Sequence, residues 1–104
     1  MNLNVYSVYD KVAQAFVTPF FMHNDGIAIR AFSDNVNSNE DSTIVKHYEQ
    51  YALYRLGTFN DKKGHIEAIE PECLISGLEV KIPTEEEDLI KEIKILKDLL
   101  IREK

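Results

Sequence analysis

The chain has 104 residues, with 44% hydrophobic and 29% charged residues, which fits one ordinary globular domain. The balance of 12 basic against 18 acidic residues gives a net charge of −6 and argues against indiscriminate phosphate binding. A single cysteine, Cys73, excludes an intrachain disulfide, and no apolar run nears the ~20 residues a membrane helix needs.

The opening, "MNLNVYSVYD", lacks a basic segment followed by an apolar run, so it does not read as a signal peptide. From Leu3 to Asp10 the sequence is rich in Val and Tyr and reads as a strand with both faces partly covered. "DKVAQ" supplies a turn. Ala15 to Met22 reads as a second strand, with Pro19 at an edge or strand end because it has no N–H for the ladder. Asn24 or Asp25 can cap the following helix, whose apolar face is Ile27, Ala28, Ala31, Phe32 and Val36.

A polar loop, "SNEDST", follows the asparagines that end the helix. "IVKHYEQ" is either a short helical turn or a loop. Tyr51 to Asn60 alternates as a strand, "NDKKG" is a hairpin loop, and "HIEAIE" returns with a possible bulge because Ile66 and Ile69 are out of phase. A short apolar segment around Cys73 to Ile75 follows, in which Cys73 reads as a small buried hydrophobe. Pro83 ends the unit.

The terminal segment opens with Thr84 and Glu87 in capping-box spacing. Glu85, Glu86 and Asp88 suit the positive end of the helix dipole. Leu89, Ile93, Leu96 and Leu100 then follow at spacings of 4, 3 and 4, a coiled-coil seam. Ile90, Ile95, Leu99 and Ile101 widen this surface, which suits more than two helices. Either the helix packs on its own sheet or it pairs with other copies. The expectation is an α+β protein of order β-β-α-β-β, with a core domain at 1–83 and an oligomerising helix at 84–104.

Few residues carry chemistry. His23, His47 and His65 are too scattered for a zinc motif, the four glycines are isolated, and the carboxylates read as solvated faces. No metal, cofactor or catalytic residue follows from the sequence, and the chain reads as a non-enzyme. Aromatics are prominent, ten in all. Single-strand binders combine aromatic faces with basic residues, and Arg30, Lys46, Tyr48, Tyr54, Arg55, Lys62 and Lys63 offer that mixture. The same tyrosines also suit the rim of a core, their hydroxyls reaching water.

Four linked blocks carry a resemblance. They are Ser7 to Asp10, Ala15 to Phe21 ("AFVTPFF"), Ala28 to Val36 ("AIRAFSDNV") and Tyr51 to Gly64 ("YALYRLGTFNDKKG"). Together they resemble the small non-structural protein of microviruses, the isometric single-stranded DNA phages, especially the gokushovirus branch. The resemblance implies a protein of the host bacterial cytoplasm, absent from the virion. It implies DNA binding, or help in switching replication from duplex copying to single-strand synthesis. The partners it leaves open are single-stranded DNA, further copies of the chain, and phage or host replication or assembly proteins. An adaptor that never touches DNA is the other reading.

Overall fold

The Val- and Tyr-rich start forms a central strand, β1 (Asn2–Asp10), and the later alternating run forms β4 (Tyr51–Asn60) antiparallel to it. The computed structural model describes the backbone over residues 2–83 and 85–102, with side chains over 2–83 and 92–100. The expected capping residues Thr84 and Glu87, and the seam residue Leu89, lie outside the described residues or side chains. Around β1 and β4 the sheet is completed by β2 (Ala15–Phe16), β3 (Phe20–Met22) and β5 (His65–Ser76), all antiparallel. The order is β2-β1-β4-β5, with β3 also on the outer edge of β1. The fold is α+β, as expected.

Both hairpin turns are made by the last strand residue. Asp10 Oδ1 accepts from the N–H groups of Val12 and Ala13, and Asn60 Oδ1 accepts from those of Lys62 and Lys63. Such side-chain turns suit Asp and Asn. The expected second strand is split at Val17–Pro19. Ser7, fully buried, stitches the gap by donating from Oγ to the Val17 carbonyl at 2.6 Å.

The sheet bends at one level on three strands. Leu56 is skipped where Val5 pairs with Gly57 and Tyr6 with Arg55. Opposite the same Leu56, β5 carries Ile69 to Pro71 between its paired residues Ala68 and Glu72. Bulges of this kind increase twist and bend, and Pro71 fits there because an unpaired residue needs no ladder donor. Instead of a short return strand and a separate apolar segment, β5 therefore runs 12 residues. Gly57 is obligatory at the bend: a Cβ there would overlap the Glu67 carbonyl oxygen.

Helix α1 (Asp25–Val36) covers one face of the sheet, capped by Asn24, whose Oδ1 accepts from the Ile27 N–H at 2.9 Å. Ala28, Phe32 and Val36 pack against Tyr6, Val8, Tyr51 and Leu53 to form the core. The ambiguous "IVKHYEQ" stretch becomes a helical turn, α2 (Thr43–Lys46), and a 3-10 turn at Tyr48–Gln50. After β5, α3 (Gly77–Val80) is fastened by a capping box between Ser76 and Glu79. Asn37 clasps the exit, donating to the Val80 carbonyl at 3.0 Å and accepting from the Ile82 N–H at 2.8 Å. Helix α4 (Glu85–Arg102) follows.

The docking of α1 depends on Asp25. The Tyr6 hydroxyl donates to Asp25 Oδ1 at 2.7 Å, and the Arg55 guanidinium donates to Oδ2 at 2.8 Å. Arg55 also pairs with Glu72 on β5. Burial and the hydrogen bond to Asp25 push the Tyr6 pKa up to about 12. Burial alone would lower the Arg55 pKa, but Asp25 and Glu72 outweigh it and hold it above its ordinary value.

Two predictions follow from this packing. A raised tyrosine pKa binds its proton more tightly in the folded state, so the stability it carries is whole below pH 10 and is lost between pH 10 and about 12. Tyr6→Phe should cost roughly 1 kcal/mol at neutral pH and should flatten the alkaline fall in a urea-unfolding series. Burial raises Tyr51 and Tyr54 as well, so part of the fall persists. Gly57→Ala should cost roughly 1–3 kcal/mol in the same assay, because the added methyl meets backbone rather than a movable side chain.

Candidate functional site: an uncharged aromatic sheet face

Residues directly opposite in antiparallel strands share a face. Tyr6, Val8 and Leu53 point to α1, so Val5, Ser7 and Tyr9 point to the other side. With them, by register, stand Phe16, Phe21, Ala52, Tyr54, Gly57, Phe59, Ile66, Ala68 and Cys73. None of these carries a formal charge when Tyr and Cys are protonated.

The rings on this face are ordered into two groups. Tyr9 and Phe16 lie 4.9 Å apart between ring centroids, and Phe16 meets Tyr54 edge-on at 5.3 Å. Tyr9 and Tyr54 are 5.9 Å apart. Phe21 and Phe59 form the second group, at 5.3 Å. Edge-to-face and tilted contacts suit the ring quadrupole. The small or branched residues Val5, Ser7, Ala52 and Gly57 are buried beneath these rings. Phe16 and Phe21 remain 41% and 44% exposed, so the rings present open faces to solvent. Burial raises the Tyr54 hydroxyl pKa, and neighbouring Cys73 adds to the rise.

The ends of the face differ from its middle. The β1–β2 turn at one end contains Lys11, and the β4–β5 turn at the other contains Lys62 and Lys63. The face is thus an apolar, ring-lined strip with lysines at each end. The candidate residues read from the sequence are distributed unevenly around it. Tyr54 sits in the ring cluster, and Lys62 and Lys63 lie in the turn at one end, where Lys63 also lines a concavity on the α1 side of the sheet. Arg55 points to the opposite face, where Asp25 and Glu72 engage it. Arg30 is exposed on α1. Lys46 pairs with Asp41 at 2.6 Å, and Tyr48 packs against the core with Lys81 above its ring. Tyr9, Phe16, Phe21, Phe59 and Lys11 join the site only through strand register, which the sequence pattern alone does not supply.

Two small concavities of about 220 Å³ each lie on the α1 side of the sheet. One, between α1 and β3, is lined by Val8, Phe20, Met22, Ala31, Phe32 and Asn35. The other, at the base of the β4–β5 turn, is lined by Asn2, Thr58, Asn60, Lys63, His65 and Glu67. Among the described residues no cluster of three metal-ligating side chains occurs. No helix among them is long and apolar enough to cross a membrane.

Cys73 corrects a sequence expectation. It is exposed rather than buried, because its partner across the strands is Tyr54, on the side away from the core. A thiol reagent such as dithionitrobenzoate should therefore modify one thiol per chain in the native protein without denaturant. A reaction that requires unfolding would contradict the register.

A family model described as Phage ORF5 protein matches residues 3–80. No curated protein and no solved structure matches the chain. The matched span takes in the whole sheet, α1 and α3 and well over half of the sequence, so the chain belongs to the phage ORF5 protein family.

Proposed function

We propose that this protein is a non-enzymatic phage accessory protein that holds single-stranded DNA during viral single-strand synthesis, using the aromatic sheet face as a stacking surface. The observation that carries the reading is that face: exposed rings set on a rigid sheet, with lysines in the turns at both ends. Unpaired bases stack on such rings with roughly 1–3 kcal/mol per base. Paired bases are already stacked on one another, so a duplex offers the rings little. The sequence resemblance to the microvirus non-structural protein supports the same reading, with the activity in the host bacterial cytoplasm and the protein absent from the virion.

The contact set is narrower than the sequence mixture and partly new. Tyr54, Lys62 and Lys63 stay in it, and Tyr9, Phe16, Phe21, Phe59 and Lys11 join it. Arg30, Lys46, Tyr48 and Arg55 stand apart from this surface. Stacking dominates over phosphate pairing here, since three lysines serve a strip without other positive charge. That fits a protein with a net charge of −6.

A second reading is favoured by the same absence of charge: an apolar sheet face also suits a protein partner, in an assembly or host-protein adaptor that never touches DNA. Fluorescence anisotropy of a labelled oligonucleotide separates the two. The DNA reading expects single-strand binding with a shallow logarithmic salt slope of about −2, from about 0.7 per phosphate contact and three lysines. It expects weak duplex binding. Phe16→Ala with Tyr54→Ala should weaken single-strand binding at least tenfold, and Lys62→Glu with Lys63→Glu should weaken it and flatten the slope. No binding at low salt by the folded protein would turn the assignment to the adaptor.

A further inference from the structure

We propose that α4 is the contact between copies of this chain, and that it pairs antiparallel with α4 of a second copy. The inference is independent of what the sheet face binds. Its first support is exposure. Every described side chain of α4, residues 92–100, is exposed, and Ile93, Ile95, Leu96, Leu99 and Leu100 are 50–64% exposed. In proteins most helical stability comes from packing an apolar face rather than from propensity. The apolar stripe of α4 has no cover from the described part of its own chain.

Charge decides what covers it and in which direction. Across residues 85–92 the sequence holds five acidic residues and one basic residue; across 93–102 it holds three basic and one acidic. The helix is therefore acidic in its first half and basic in its second. A parallel pair would set four consecutive acids, Glu85 to Asp88, beside their own copies within a Debye length of about 8 Å. An antiparallel pair sets each acidic half beside a basic half and also opposes the two helix dipoles.

The apolar spacing accepts the same arrangement. Centring the pair between residues 94 and 95 brings Leu89 level with Leu100 of the second copy and Ile93 level with its Leu96. Four apolar layers result, symmetric about the centre, in the seam spacing of a coiled coil; Ile95 and Leu99 lie outside this seam, so the pair is the smallest unit the helix forms. At this register Lys91 and Asp98 stand on the side away from the seam, so the charge preference rests on the opposed acidic and basic halves and not on facing pairs. A two-fold, self-complementary contact of this type closes on itself instead of growing into a filament.

The test uses the full chain in a Cys73→Ser background, with a spin label on Arg102→Cys and sedimentation in parallel. Antiparallel helices centred near residue 94.5 separate the two labels by about 22 Å along the axis, at a rise of 1.5 Å per residue. Parallel helices would hold them about 10 Å apart, the interaxial distance, with strong dipolar broadening. The expected result is self-association with the longer distance present, and loss of association in Leu96→Glu with an unchanged near-ultraviolet aromatic signal from the body. A monomer at 100-micromolar concentration, or labels showing only the short distance, would overturn the proposal. So would a Leu96→Glu protein that still associates.

Discussion

The Asp25 carboxylate joins the first turn of α1 to three strands at once. It accepts from Tyr6 on β1 and from Arg55 on β4, and Arg55 passes the contact on to Glu72 on β5. These residues flank the level at which the strands bulge around Leu56. The bend of the sheet and the position of the helix are therefore fixed at one place. A charge-assisted network with several partners specifies geometry more strongly than the apolar contacts around it, which tolerate rearrangement. Tyr6 is fully buried, so its hydroxyl requires partners: it donates to Asp25 and accepts from the Asn4 side-chain amide.

Once α1 is committed to one face, the other face of a thin sheet must solve its own solvation problem. Here the solution is a lid of side chains. Tyr9, Phe16 and Tyr54, with Phe21 and Phe59, lie over Val5, Ser7, Ala52 and Gly57 and exclude water from them. Large rings are costly to leave partly wet, since each square ångström of exposed apolar surface forfeits about 25 cal/mol. A surface that keeps several rings part-exposed is poised to gain from any flat or apolar partner. The division of labour is spatial: α1 and the core secure the fold, and the far face is left with unsatisfied apolar area.

Much of this architecture is legible in the sequence, and the parts that are not have identifiable reasons. The choice of Asn24 over Asp25 as the cap is made by the structure, while strand β4, α1 and both hairpin turns follow from alternation, helical spacing and polar turn residues. The role of Asp25 does not, because a carboxylate at a helix start reads equally as a dipole partner, and its real partners are 19 and 30 residues away in sequence. The length of β5 is hidden by Pro71, which normally ends a strand and is accommodated here only because a bulge frees that position from the ladder. The aromatic face is hidden for the same reason: bulges at Leu56 and opposite it reset the alternation, so counting by twos assigns residues to the wrong side. Cys73 is misassigned because its neighbours Leu74 and Ile75 are apolar, which marks the segment as core without saying which side each residue takes. Lys62 and Lys63 were visible as a loop, but their relation to the rings required register.

The free edge of β5 has a consequence for behaviour at high concentration. The outer edge of a twelve-residue strand, which no strand among the described residues covers, would ordinarily template the strand of a neighbour and seed aggregation. This edge is interrupted by Pro71, displaced by the bulge from Ile69 to Pro71, and flanked by Glu67, Glu70 and Glu72, all exposed. Two copies approaching edge to edge would have to bring Glu67 and Glu70 together, and the ladder is broken at the bulge. Part of the acidic surplus that distinguishes the whole chain thus acts as a guard against runaway strand addition while the aromatic face stays open.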